Sequence, residues 1–342
     1  MIVRAIRDGF EARAQLPTTD IGLRNFFRGA LWETPAGEDV TEQSALNLST
    51  VYACVRLLST AVAQLPLHLY QRSGSSKRKA TDHPVSLLLH GSPNPRQTVY
   101  EFIDFTMASL LLRGNALTFV QRARGEVVAL WPLHWMQIEP RAAGTSIDFI
   151  WTPTNSQVQT FRASECWYVH GASMDGVIGA SPIALARESL GHGLALQRHG
   201  ARFFGNGARP SGVLQTDQKV SAEAAGRLRD SWQASQGGEN SQRIAVLEEG
   251  LKYQVISVSP EDAQFLETRK FSREEIAEWF GVPPNLIGVQ ATHNNAEHQA
   301  QDFVRYSLNS WLRNLETSLE RDLLTAEERE SEKHGDSVGC RA

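Results

Sequence analysis

The 342 residues exceed what one hydrophobic core usually serves, and 41% hydrophobic against 21% charged residues is a globular balance, so the chain reads as two or more packed units. A formal charge of −4 and a pI near 6.2 exclude the clustered cation excess that tight, non-specific grip on DNA requires. Cys54, Cys166 and Cys340 stand far apart with no CxxC pair, which points to neither a zinc site nor a disulfide framework and leaves the cytoplasm as the default compartment.

The opening MIVRAIRDGFEARAQL mixes charges with short apolar stretches and reads as neither a secretory signal nor an anchor. Over residues 49–65, Val51, Val55, Leu58, Val62 and Leu65 recur at helical spacing and Pro66 closes the run, which predicts a core helix. Arg56, Ser59, Thr60 and Gln64 make the same stretch too polar and too short for a bilayer. Leu67, His68, Leu69 and Tyr70 alternate like a strand, and the following RSGSSKRKATDHP reads as a solvated loop. Thr98 and Glu101 form a capping box for a helix that should run to about Arg113, where Gly114-Asn115 supplies a left-handed stop. Residues 117–122 and 127–131 read as strands joined by a hairpin turn through Arg124-Gly125, with further short strands around 147–151, 158–161 and 167–170. The first half is therefore α+β with an antiparallel sheet.

Ser181 can cap a long helix that begins at Pro182, in which Ile183, Ala186, Leu190, Leu194, Ala201 and Phe204 form one apolar stripe before Gly205-Asn206-Gly207. Residues 208–258 form a small insert: an extended stretch at 212–215, a helix after Ser221 carrying Leu228 and Trp232, and a hairpin pairing 243–247 with 251–255. A second long helix follows Ser259-Pro260 and runs to about Phe280, where Gly281-Val282-Pro283-Pro284 ends it. Its acids Glu261, Asp262, Glu267, Glu274, Glu275 and Glu278 outnumber Arg269, Lys270 and Arg273, so the polar face is either simply solvated or the wall of a passage. Residues 285–297 are small and polar, a loop composition. A third helix should place Val304, Leu308, Trp311, Leu315 and Leu319 on one face and continue to about Leu324, and the remaining TAEERESEKHGDSVGCRA, without apolar periodicity, reads as disordered.

Chemical motifs are scarce. The sequence holds no Gly-Lys pair, so it has no phosphate-binding P-loop, and Gly205-Asn206-Gly207 follows a helix where such a loop would precede one. Residues 171–176, beside His170, lack the GxSxG spacing of a nucleophile elbow. His293, Glu297 and His298 could approach a metal if their segment were helical, but loop polarity is the plainer account. No catalytic residue, metal or cofactor is expected.

Taken together, VYACVRLLSTAVAQLPLHLY, SPNPRQTVYEF, LLLRGNALTFV, ALWPLHWMQI, GASPIALARESLGHGLALQRHGARFFGNGARPSGVL, RIAVLEEGLKYQVISVSPEDAQFLETRKFSREEIAEWFGVPPNLIG and FVRYSLNSWLRNLE resemble the portal proteins of tailed bacteriophages. The branch resembled is the compact, lambdoid type of siphoviruses, and the resemblance spans roughly residues 49–324 in order as well as wording. It implies a portal fold of class α+β: an N-terminal extension over 1–48, partly disordered; an α+β wing over 49–180; stem helices over 181–207 and 259–284; a small α/β clip insert over 208–258; a tunnel loop over 285–298; and a long wing helix over 299–325. Family members continue into a helical crown, which ERESEKHGDSVGCRA does not resemble, so residues 326–342 are expected as a disordered tail in place of a crown that is reduced or absent.

The same resemblance implies a non-enzymatic homo-oligomer, a dodecameric ring at the capsid vertex of a virion, assembled in the host cytoplasm, through which DNA is packaged and ejected. Its implied partners are the terminase large subunit, the head-tail adaptor, the major capsid and scaffold proteins, and double-stranded DNA passing non-specifically; no membrane is involved. His293, Asn294 and Asn295 of the tunnel loop are expected to touch phosphate. Glu267, Arg269, Lys270, Arg273 and Glu274 are expected along the channel lining of the stem. Trp232, Glu248 and Glu249 are expected to dock terminase or adaptor on the clip, with Trp232 almost equally at home in the clip core. Two readings from other classes remain: a metal-dependent DNA-processing enzyme using His293, Glu297 and His298, and a membrane-associated pore, against which the lack of an apolar span speaks.

Overall fold

The computed structural model describes residues 34–73, 76–143, 146–154, 157–205, 212–215, 226–227, 252–255, 260–288, 300–330 and 336–341. The chain divides into two units, Met1–Ala195 with Lys270–Ala342, and Leu196–Arg269. The fold is α+β.

The first unit is organised by two helices. Helix α1 (Glu42–Leu46), capped by Thr41, leads into α2 (Ser49–Ala63), whose Val51, Leu58 and Val62 are buried as their spacing predicts. Leu65 falls beyond the end of that helix and is 37% exposed, so it is not part of the buried stripe. Strand β1 (His68–Ser73) follows and pairs with β2 (Ser76–Lys79), so the stretch read as a loop contains half of a hairpin. Its Lys and Arg content suits an edge strand, where charge discourages pairing with another chain. After α3 (Pro84–His90) comes α4 (Val99–Arg113), with the reciprocal Thr98 and Glu101 capping bonds in place and Gly114 stopping it at φ +72°. Ser59 of α2 donates to Asp104 Oδ1 of α4 at 2.6 Å, and Phe102, Ile103, Met107 and Leu110 share the α2 core.

Strands β3 (Asn115–Ala123) and β4 (Glu126–Leu133) form the predicted hairpin, whose turn residues Arg124 and Gly125 both take positive φ, as a two-residue turn of the primed type requires. Three further strands, β5 (Ile138–Ala143), β6 (Ser146–Trp151) and β7 (Gln159–Arg162), make a separate antiparallel sheet in that order. Strand β5 was not legible, because Pro140 argues against a strand; it is tolerated here at the sheet edge. Strand β8 (Cys166–His170) returns to pair with β3, giving the order β4-β3-β8. A second core of Leu117, Leu133, Trp135, Ile138, Phe149, Phe161 and Cys166 fills the space under these strands, with Trp135 stacked on Tyr168 at 5.9 Å.

The helix expected from Pro182 is interrupted at Ala186, where ψ turns to +9°, into α5 (Pro182–Leu185) and α6 (Arg187–Gly205). Ile183, Ala186 and Leu190 of the predicted stripe are buried, Leu194 is half-buried and Ala201 is exposed. The second unit contains an antiparallel pair, β9 (Gly212–Gln215) with β10 (Lys252–Val255). The structure thus gives Lys252–Val255 a partner that the sequence reading did not assign; its expected partner, residues 243–247, lies outside the described residues. Also within this unit, Gly200 packs against Phe265, whose ring a Cβ would meet at 3.3 Å.

Helix α7 (Pro260–Trp279) ends where the glycine and prolines predict. A helical stretch then runs from 300 through a π-helical segment, Phe303–Leu308, into α8 (Asn309–Leu323). Leu308, Leu315 and Leu319 are buried as expected, but Val304 is 50% exposed, because the π turn takes an extra residue and breaks the phase of the stripe. Helix α8 covers the open edge of β8. Tyr168 N–H donates to Asp322 Oδ2 at 3.1 Å, Arg321 Nη2 donates to Tyr168 O at 2.7 Å, Asn314 Nδ2 donates to His170 O at 2.8 Å, and Trp167 Nε1 donates to Ser318 Oγ at 2.9 Å. Side chains of a helix therefore do what a fourth strand would do.

The end of the chain corrects the sequence reading most. In place of the disordered tail expected over 326–342 stand a short helix, α9 (Ala326–Glu330), and a strand, β11 (Asp336–Arg341), that pairs antiparallel with β1. His83 of the α3 cap meets Glu328 Oε1 at 2.8 Å and ties α9 down. The pairing of β11 is made backbone to backbone with a strand far away in sequence, which local composition does not report.

Candidate subunit and channel surface

The residues that frame the segment 289–299 belong to the first unit and are held by one turn. Val282 N–H donates to Ala277 O at 3.0 Å and Gly281 N–H to Glu278 O at 2.9 Å, with Gly281 at φ +63°, so α7 closes in a Schellman motif. Ala277 and Val282, the apolar pair that this motif brings together, are both buried. Pro283 and Pro284 then start a 3-10 turn, Pro284–Ile287, which ends at Gly288. Arg273 reaches back from α7 and donates through Nη2 to Ile287 O at 3.1 Å. On the far side of the segment, Ser307 Oγ donates to Gly281 O at 2.5 Å. Entry and exit of 289–299 are thus fixed to the end of α7.

The same half of α7 packs on α6 through small groups. A Cβ on Gly193 would lie 3.3 Å from Ile276 and 3.4 Å from Ser272 Oγ, a close approach that glycine permits. Ser189 Oγ donates to Glu275 Oε1 at 2.7 Å and accepts from Trp279 Nε1 at 3.2 Å, so Glu275 is turned to α6.

Of the residues expected on a channel wall, Lys270 is exposed and Glu274 half-buried, 4.0 Å apart at i and i+4. Glu267 and Arg269, in the second unit, are exposed. Arg273 is different: it is half-buried and spends a donor on the turn, which makes it a positioning residue. Sequence reasoning missed that role, and also missed Ser307 and the Ser189–Glu275–Trp279 chain; the i, i+4 step from Glu275 to Trp279 was the one available signal. His293, Asn294, Asn295, Glu297, His298, Trp232, Glu248 and Glu249 lie outside the described residues.

Burial pushes the thiols of Cys54 and Cys166 up to about 12, which leaves no thiolate for nucleophilic or redox work at neutral pH. Among the described residues no three His, Cys, Asp or Glu are grouped as metal ligands, and no helix is long and apolar enough to cross a membrane.

Comparison with known proteins agrees with this architecture. The family model described as phage portal protein matches residues 49–336. The probable portal protein of Streptomyces phage phiC31 is 35% identical over 336 residues, covering 94% of this chain and 72% of that protein. The portal protein of Enterobacteria phage HK97 is 31% identical, covering 84% of this chain and 70% of its own. Among solved structures, a chain from the neck of a native gene transfer agent particle, computed with C12 symmetry, shares the fold with a TM-score of 0.62 and 23% identity, over 87% of this chain and 82% of the other. On the family match and these two relatives, the chain belongs to the phage portal protein family.

Proposed function

We propose that the chain is one subunit of a closed ring of twelve copies, set at a capsid vertex, through which double-stranded DNA passes during packaging and ejection. The observation that carries this reading is the likeness in fold to a neck chain described with C12 symmetry. In this reading residues 49–180 and 299–325 are the wing, 181–207 and 259–284 the stem, 208–258 the clip and 285–298 the tunnel loop. The ring docks the terminase large subunit and later the head-tail adaptor through the clip, with Trp232, Glu248 and Glu249 as contacts, and joins the major capsid and scaffold proteins in assembly.

The role is mechanical, without bond chemistry. Glu267, Arg269 and Lys270 of α7 are exposed and Glu274 is half-buried, and the sequence of the whole helix carries more acid than base. Along a channel such a wall repels phosphate at short range, since charges in cellular salt are screened beyond about 8 Å. His293, Asn294 and Asn295 offer side-chain donors to passing phosphates, and Arg273 and Ser307 hold the base from which their segment departs. Native mass spectrometry with negative-stain imaging tests the reading. Rings of about a dozen subunits around a central hole are expected; a chain that stays monomeric at high concentration overturns it.

A further inference from the structure

We propose that one face of the three-stranded sheet β11-β1-β2 is a docking surface for the phosphate backbone of double-stranded DNA, separate from the face of α7 and from the segment 289–299. The choice of DNA rests on the reading above; the case for an anionic partner does not.

The strand register puts the charges on one face. Arg341 stands opposite His68, Lys79 opposite Tyr70 and Lys77 opposite Arg72. Direct partners share a side of a sheet and alternate residues return to it, so His68, Tyr70 and Arg72 of β1, Lys77 and Lys79 of β2, and Ser337, Gly339 and Arg341 of β11 belong to the same face. Leu69, only 2% exposed, lies on the other face, which is therefore the core side. The eight positions hold four Lys and Arg residues and no acid, in a chain whose net charge is −4. At about 3.3 Å per residue and about 4.8 Å between strands they span roughly 13 by 10 Å. That is on the scale of the screening length, about 8 Å in cellular salt, so their potentials add.

Like charges set directly opposite weaken a sheet. Cations on β2 and β11 protect the edges of this one, but that account does not reach Arg72, on the middle strand and directly opposite Lys77. A phosphate partner turns the same repulsion into attraction. Lys79 is also held in place: its Nζ lies 3.0 Å from His68 Nε2, His68 Nδ1 lies 2.8 Å from His90 Nε2, and His90 Nδ1 lies 2.9 Å from Ser86 O. An ammonium only donates and a carbonyl only accepts, so every proton in this chain points from Lys79 toward Ser86, and Lys79 meets an imidazole where a carboxylate would cancel its charge. The occupant follows from what the face lacks. Its one aromatic residue is Tyr70 and it has no aliphatic one, whereas a protein contact needs an apolar centre and a phosphate contact does not.

The test is binding of a short labelled duplex of mixed sequence to the full chain, followed by fluorescence anisotropy over a series of salt concentrations. Four phosphate contacts give log affinity a slope of about −3 to −4 against log salt. Lys77→Gln with Lys79→Gln should flatten that slope by about 2, while Arg78→Gln, on the same strand but the opposite face, should leave it nearly unchanged. Equal slopes for wild type and the double variant would overturn the inference, and so would poly-glutamate that binds more tightly than the duplex at equal charge, which would make the occupant an acidic protein. Lysine acetylation of unmutated protein gives an answer independent of variant folding. The duplex should protect Lys77 and Lys79, and protection of Lys270 on α7 alone would refute the assignment. Native mass spectra of the same samples read ring formation separately: rings without this binding overturn the inference and leave the ring reading standing, whereas binding without rings overturns the ring reading alone.

Discussion

Replacing Gly114 by alanine separates two costs that glycine usually hides together. Gly114 and Gly37 share nearly the same backbone, φ +72° and +69°, so alanine at either suffers the same left-handed strain, about 1–2 kcal/mol. A Cβ on Gly37 meets nothing within 4 Å, whereas one on Gly114 would stand 2.0 Å from the carbonyl oxygen of Ala180. That overlap is relieved only by moving backbone, and the bonds that lock this backbone are short. Gly171 N–H donates to Gly114 O at 2.8 Å, Gly179 N–H donates to Asn115 Oδ1 at 2.8 Å, and Asn115 Nδ2 donates to Gly179 O at 2.7 Å. Losing two or three of them at about 1 kcal/mol each, on top of the strain, brings Gly114→Ala to about 3–5 kcal/mol, against about 1–2 for Gly37→Ala. Urea unfolding of dilute protein, followed by tryptophan fluorescence with the slope held common, measures the difference. If the two variants lose equal stability, the close approach of Gly114 to Ala180 does not carry the cost assigned to it.

Three further outcomes follow from single side chains. Ser318→Ala leaves the buried Trp167 Nε1–H without its acceptor and should cost about 1–3 kcal/mol in the same urea assay, while Thr317→Ala, at an exposed neighbour, should cost little. The imidazole of His68 is held below its ordinary value of 6.5 by desolvation, then by Lys79 and His90, and Arg341 stands opposite it in the strand register. A histidine that resists protonation in the fold binds fewer protons than in the unfolded chain, so its share of stability is present above pH 6.5 and is lost as pH falls through that range; His68→Gln should flatten the slope of the urea midpoint with pH between neutral and pH 5. Cys54 and Cys166, with thiols raised to about 12, should resist iodoacetamide at pH 8 in native protein and react once urea unfolds it, as read by peptide mass spectrometry.

Local signals in the sequence were read well where the decisive atoms lie within a few residues. The Thr98 capping box, the Arg124-Gly125 turn, the Ser181-Pro182 start and the Gly281 stop each depend on groups no more than five positions apart, and each stands where predicted. What escaped depends on distance. Strand β11 exists through its pairing with β1, Pro140 is admitted because β5 lies at an edge, and the π turn disturbs a stripe that periodicity alone would continue. The candidate surface divides the same way. The charges of α7 could be counted from the sequence, but Arg273 bonding across fourteen positions to Ile287 could not.

The cover that α8 places on β8 has a cost in time. Trp167 and Ser318 are 151 positions apart, so a ribosome has made the whole β4-β3-β8 sheet long before the helix that shields its open edge. At about 5–20 residues per second the edge of β8 waits roughly 8 to 30 seconds for Asn314, Arg321 and Asp322. During that interval two nascent chains on neighbouring ribosomes can meet strand to strand, an encounter that the finished subunit no longer permits. Shortening the chain to any point before Asn314 would make that interval permanent, so the product to expect from such a truncation is an aggregate, and not a smaller soluble subunit.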